Sequence, residues 1–459
     1  MNTEILSRIQ FAFTIAFHYI YPPLSIGLGV VLVIMEGMYL RTGKQIYEQM
    51  TRFWIKIFAL IFGIGVATGI VMEFEFGTNW AVYSRYVGDI FGSALAAEGI
   101  FAFALESGFL GILLFGCNRV SPRVNFFSKI MVAFGSMFSA IWIVVANSWQ
   151  QTPAGYRIEG EGMKARAVIT DFWEMVFNPS SVDRLSHVII GSFLAGSFLV
   201  LSVNAYYILR QRHLEIAKAS FKIALTVATV ASLMQLFTGH RSADGVAKHQ
   251  PAKLAAFEGH YDSSAVADMY LIGWTNADKR EITGLKIPGG LSFLLHQDFT
   301  TPVKGLNAFP KEDRPSSRAV NVVFQTYHLM VAIGMALIGL SLLAVFLWWK
   351  GKLFEQKWLL QLFAWSVLLP QIANQVGWYS AEIGRQPWVV YGLLRTSDAL
   401  SQSLKTEQVL FSLIMFTLVY ALLFALFLYL LNKKIKHGPV DTHSETIPDS
   451  SKRDNPILN

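Results

Sequence analysis

Cysteine is nearly absent: Cys117 is the only one in 459 residues. One thiol makes no internal disulfide, no Cys-ligated iron–sulfur cluster and no Cys-rich zinc site within the chain. Charge is scarce as well. A soluble protein of this length carries about 115 Asp, Glu, Lys and Arg, whereas this chain has 38 Lys and Arg and 31 Asp and Glu. That deficit excludes most soluble architectures. Disorder is excluded by what is abundant instead: 35 Phe, 12 Trp and 16 Tyr in a chain that is 53% hydrophobic, too much burial for a disordered composition. The net charge of +7 forms no basic patch; Lys and Arg punctuate long apolar runs. Such punctuation is a topology signal, and no nucleic-acid partner is expected. What remains is an all-α, polytopic membrane protein.

A helix needs about 20 predominantly apolar residues to cross the hydrocarbon core. Runs of that kind lie near 11–40, 52–76, 92–117, 125–149, 184–209, 219–240, 319–349, 358–382 and 408–432, which predicts about nine transmembrane helices. Helices one to six then occupy 1–240 with an outer loop at 150–183, a hydrophilic block fills 241–318, helices seven to nine occupy 319–432, and a polar tail covers 433–459. The start of the chain has no basic run and no small-residue cleavage site, so the first run reads as a retained span. Basic residues crowd alternate loops (Arg41, Lys44, Arg52 and Lys56; Arg119, Arg123 and Lys129; Arg210, Arg212, Lys218 and Lys222). By the positive-inside rule the N-terminus faces outside and the C-terminus the cytoplasm.

Ionisable residues inside spans are functional candidates by default, because hydrocarbon penalises them. His18, His187, His328, Met330 and Glu382 come from four spans and fall at one depth, in the outer leaflet. His, Met and carboxylate at one level suit a set of haem irons: His187 with Met330 gives a six-coordinate pair, and His18 and Glu382 each leave a position open. The plain alternative for each His is a hydrogen bond to a neighbouring helix. Span three carries Glu98 and Glu106, about 12 Å apart along the axis, as rungs of a proton path. Glu36, Glu73 and Glu75 lie near span ends, where a water-touching interfacial role is an equal reading. Ser139 and Asn147 of span four either hydrate the same region or make polar helix contacts. Pro22 and Pro23 predict a kink after His18. Arg385, between Glu382 and Pro387, is placed to pair with a haem propionate.

At these residues the chain becomes recognisable. GWYSAEIGRQPW, Gly377–Trp388, resembles the GWxxxExGRQPW signature of subunit I of the cytochrome bd quinol oxidases. LSRIQFAFTIAFHY (Leu6–Tyr19), GVATGIVMEFEFGTNW (Gly65–Trp80), YVGDIFG (Tyr86–Gly92) and QPAKLAAFE (Gln250–Glu258) extend the resemblance along the spans. It implies that His187 and Met330 hold a low-spin haem b, and that His18 and Glu382 hold the two high-spin haems, one b and one d, in an order left open. Two haems b and one haem d are thus expected. The resemblance also implies Glu98 beside the oxygen-reducing pair, Glu106 in the proton route, and Lys253 and Glu258 as the quinol-binding pair of an outer Q-loop. Without it, Lys253 and Glu258 read as solvated charges. Glu98, Glu106 and Arg385 are then the expected catalytic side chains.

The implied activity is quinol:oxygen oxidoreduction in the bacterial plasma membrane. Quinol is oxidised and its protons released outside, dioxygen is reduced to water with cytoplasmic protons, and proton motive force arises without pumping. The implied partners are a second large membrane subunit (subunit II), a one-helix accessory peptide, quinol and dioxygen. Two features depart from the family pattern: His328 stands where relatives have Arg, in TYHLM, and the Q-loop, about 78 residues, is of the short form. Two rivals make different predictions. A b-type electron-transfer cytochrome has only low-spin haem, and a proton-coupled secondary transporter has no haem.

Overall fold

The computed structural model describes residues 3–116, 119–276 and 279–439; Cys117 and the end of the tail, 440–459, lie outside them. α1 (Thr3–His18) and α2 (Tyr21–Thr42) form the first apolar run, broken where the prolines predict. Pro22 and Pro23 have no N–H, so the carbonyls of His18 and Tyr19 lose their helical donors. α3 (Gln45–Thr78) returns alongside both. A Cβ on Gly65 would meet Tyr21 at 3.3 Å and one on Gly69 would meet the His18 ring at 3.2 Å, so these two glycines let α3 approach the kink.

α4 (Ala81–Tyr86) and α5 (Gly88–Ala97) lead into a π-helical turn at Glu98–Phe103 that continues as α6 (Ala104–Phe115). π-turns inside α-helices occur frequently at functional sites, and this one begins on a predicted site residue. α7 (Pro122–Gln151) starts cleanly because Ser121 accepts from the Val124 N–H at 3.4 Å and Pro122 has no N–H that needs an acceptor. The β1 (Tyr156–Glu159) and β2 (Arg166–Ile169) hairpin and α8 (Phe172–Val176) follow.

α9 (Ser181–Leu209) is the most buried span. It crosses α2 backbone to backbone, since a Cβ on Gly27 would lie 2.1 Å from the Ser192 carbonyl oxygen. Small residues permit such close crossings in membranes. α10 (Leu214–His249) runs on into the stretch assigned to the hydrophilic block, which continues with α11 (Pro251–Phe257), the antiparallel hairpin of β3 (Met269–Asn276) and β4 (Glu281–Ile287), and α12 (Gly290–His296).

α13 (Ser317–Trp349) is followed by α14 (Lys357–Trp365), α15 (Leu368–Gly384), the short hairpin of β5 (Trp388–Val390) and β6 (Leu394–Arg395), and α16 (Thr406–His437). The α16 helix therefore continues through Lys433, Lys434 and Lys436, where a polar tail was expected to begin.

Among the described residues, eight helices are long and apolar enough to cross a membrane, against nine predicted. The difference is the run near 358–382. It is present but broken into α14 and α15 at Ser366–Val367. Pro370 cannot donate to the Ser366 carbonyl, which instead accepts from Leu369 N at 3.1 Å. The loops gather at one end of the bundle: Tyr391 N donates to Gln150 O at 2.8 Å, Ser401 N to Asn79 O at 3.0 Å, and the Gln250 side chain to Gln151 O at 3.2 Å. This loop end holds the start of α1 and α16 and the ends of α3, α7 and α10.

Candidate functional site

One stretch of α15 organises the predicted ligands. Gln375 Nε2 donates to Ala16 O at 2.8 Å and Trp378 meets Tyr19 edge-on at 5.4 Å, which brings the His18 turn of α1 against α15. The His18 Nδ1 pairs with Thr68 Oγ1 at 3.0 Å. On α9, a Cβ on Gly191 would lie 3.3 Å from Asn374 Oδ1, one turn beyond His187, whose ring nitrogens take the Gln235 amide at 3.1 and 3.2 Å. From α13, the Met330 sulfur lies 2.8 Å from where a Gly377 Cβ would be. Three helices thus deliver His18, His187 and Met330 to the Asn374–Trp378 turn. His328 is engaged elsewhere: its Nδ1 pairs with Phe324 O at 2.8 Å and its ring stacks on Phe324 at 3.9 Å.

A second element, α7, carries the hydrogen-bond partners of the predicted carboxylates. Ser136 donates to Glu106 and Ser139 to Glu98 Oε1, the latter at 2.5 Å. Asn147 and Gln151 both donate to Glu382 Oε1, at 3.3 and 3.1 Å, and Gln151 Oε1 accepts from Lys253 Nζ at 2.9 Å. From Ser136 to Gln151 is about 22 Å along a helix, so one rail connects Glu106, Glu98, Glu382 and Lys253. Asn147 and Ser139 both make polar helix contacts on this rail, as one of their two readings expects. Arg385 is ion-paired with Glu382 and donates to Gln150 Oε1 at 2.8 Å.

Sequence reasoning missed Arg184, Gln150 and Gln151. Arg184 bonds to Asn147 and lies over Trp378 at 5.9 Å. Its signal was available: it stands one helical turn before His187 on the same face.

The solvated reading that Lys253 and Glu258 have without the resemblance does not hold, because α11 folds back onto α13 and α15 and buries both. They are not joined to each other. Lys253 packs beside Gly384 and turns to Gln151 and Gln250; burial and then the Arg184 charge pull its ammonium well below the usual lysine range. Glu258 Oε2 has no partner among the described residues, and burial pushes its carboxyl up to about 7. Next to it, Phe257 stacks on Tyr327 at 4.7 Å. Of the three carboxylates near span ends, Glu73 is exposed, Glu36 is buried in an ion pair with Lys129 at 3.1 Å, and Glu75 is buried without a partner.

The profile of the family described as "Cytochrome bd terminal oxidase subunit I" matches residues 6–439. The chain belongs to the cytochrome bd terminal oxidase subunit I family. It is 36% identical to "Cytochrome bd-II ubiquinol oxidase subunit 1" of Escherichia coli (strain K12), over 96% of this chain and 98% of that one. It is 35% identical to "Cytochrome bd ubiquinol oxidase subunit 1" of Bacillus subtilis (strain 168), over 98% and 97%. The fold matches the bd oxidase structure from Geobacillus thermodenitrificans with a TM-score of 0.87 at 28% identity, covering 95% of this chain and 99% of that one.

Membership in the cytochrome bd family makes the chain a multi-pass membrane oxidoreductase subunit of electron transport and implies haem. The residues present fit that group. Gly69 and Gly377 lack the Cβ that would press on His18 and Met330 at 3.2 and 2.8 Å, and a Cβ on Gly239 would just touch the His187 ring at 3.5 Å. Arg184 Nε, Arg385 Nε, Asn374 Nδ2 and Gln235 Oε1 are buried polar atoms without protein partners among the described residues. Buried polar atoms of this kind call for a polar ligand or water, and guanidinium groups suit carboxylates such as propionates.

Proposed function

We propose that this chain is the catalytic subunit of a quinol oxidase that couples quinol oxidation at the loop end of the bundle to reduction of dioxygen to water. The observation that carries this reading is the α7 rail, which joins the buried Lys253, at one end, to a carboxylate ladder entering from the other. Relatives named for ubiquinol and menaquinol oxidation support the substrate class.

His187 and Met330 would hold a low-spin haem b, and His18 and Glu382 would hold the high-spin haems b and d. The haems, when bound, supply one-electron transfer and oxygen reduction. The chain's own residues do the rest. Lys253 orients a quinol oxygen, and Glu258, unpaired and held near neutrality, accepts a hydroxyl proton as general base. Arg184 and Arg385 balance the charge of Glu382 and would hold haem propionates. Glu106 and Glu98, each steadied by a serine of α7, pass protons toward the oxygen-reducing side.

Proton release at the loop end and uptake at the other separate charge across the bacterial plasma membrane with no pumping step, the loop end facing outside. The complex includes subunit II and a one-helix peptide; the exposed apolar side chains of α13 and α16, among them Met335, Phe411, Leu418 and Leu422, suit lipid or such neighbours. The test is oxygen uptake by the purified complex with a soluble quinol. Quinol-dependent uptake together with haem is expected. Haem without uptake would favour the electron-transfer cytochrome, and no haem would favour a transporter.

A further inference from the structure

A row of buried polar side chains lies outside the site just described, between α1, α3 and α16. α1 contributes Ser7, Gln10 and Thr14, with relative exposures of 0%, 1% and 0%; α3 contributes Thr68 and Glu75, at 1% and 2%, and Asn79 follows it. At the loop end the row begins where the hydroxyls of Thr3 and Thr406 meet at 2.6 Å. Gln10 Oε1 then accepts from Asn79 Nδ2 and from Ser412 Oγ, both at 3.1 Å. At the other end Thr68 pairs with His18. The length from Thr3 to His18 is about 22 Å of helix.

The middle of this seam is unsatisfied. Both Glu75 oxygens, Ser7 Oγ, Thr14 Oγ1 and Tyr420 OH are buried with no hydrogen-bond partner among the described residues. Glu75 is faced by Thr14 from α1 and by the titratable Tyr420 from α16, and Tyr420 in turn stacks on Phe17 at 4.4 Å. No cation is ion-paired with Glu75 among the described residues. A buried carboxyl without a cation or donor is stable only if it holds a proton or is met by water. Several clustered polar atoms left open together supply the two to four partners that a buried water needs.

We propose that Glu75 is a proton-binding site, reached by water from the loop end along the Thr3–Gln10–Thr14 seam and facing Thr14, which stands one helical turn before His18. Its place beside the haem-ligand turn rests on the function proposed above; the proton site itself does not. Infrared spectra of the purified complex in H2O and D2O test it without turnover. A neutral carboxylic C=O band that shifts on transfer to D2O, is lost in Glu75→Gln and persists in Glu73→Gln is the expected result. Gln10→Leu, which blocks the seam above Glu75, should slow that exchange. If Glu75→Gln does not assemble, Thr14→Val should move the band, because it removes the facing hydroxyl. A spectrum unchanged by these substitutions, or a Glu75 band that never exchanges, overturns the proposal. Neither result depends on oxygen uptake, so this failure is separable from failure of the oxidase reading.

Discussion

Replacing Glu258 with Gln removes a proton acceptor whose poise follows directly from its surroundings. The carboxyl is fully enclosed by α11 and α13, has one oxygen without a partner among the described residues, and is pushed up to about 7 by burial. With that value about one-tenth of the groups are ionised at pH 6 and about nine-tenths at pH 8. A step that needs the ionised form therefore rises roughly tenfold across that interval. Gln keeps the shape but accepts no proton, so the variant should be slower by about 100-fold at pH 8 and should lose the limb centred near neutrality. The assay is steady-state oxygen uptake with a soluble quinol over about pH 5 to 9, with haem content measured on the same samples. A variant that keeps the same limb, or a wild-type limb centred near the ordinary carboxylate value of about 4.3, would refute the reasoning.

Lys253→Met keeps the stem packed beside Gly384 but loses the bonds to Gln151 and Gln250; KM for quinol should rise with haem content unchanged, and haem loss would make the role structural. Gly377→Ala puts a Cβ 2.8 Å from the Met330 sulfur, where ordinary contact starts at 3.4 Å. The sulfur, near the free end of a flexible side chain, must shift to make room, so part of the low-spin signal should convert to high spin; an unchanged spectrum would mean that the shifted sulfur still reaches its partner or that Met330 is not a ligand, which Met330→Leu decides. Glu106→Gln should slow proton uptake more than it weakens quinol binding, measured by pH-indicator and binding assays. Equal effects would argue against a proton path.

Much of the architecture was legible because its causes are local. Apolar runs of spanning length, Pro22 and Pro23 beside His18, and the Gly377–Trp388 signature are all visible along the chain. The break at Ser366 was equally local, yet a hydropathy scan passes over Pro370. What escaped the sequence was partnership between distant residues. Ser136 with Glu106, Gln151 with Glu382 and Lys253 with Gln151 are 30, 231 and 102 positions apart, and nothing in a linear pattern marks which polar residue of one helix faces which of another. Burial of Lys253 and Glu258 escaped for the same reason, since it depends on α11 folding back over the ends of α13 and α15. Glu75 differs from Glu73 by two positions only, yet one is enclosed and the other exposed.

The central claim, that the α15 turn gathers haem ligands from three other helices, is tested most directly by reduced-minus-oxidised and pyridine haemochrome spectra of the purified complex beside its Met330→Leu variant. The account predicts b-type haem together with a red-shifted chlorin band in the wild type, and conversion of the low-spin b signal to high spin in the variant. A complex without haem, or a low-spin signal untouched by Met330→Leu, would contradict it.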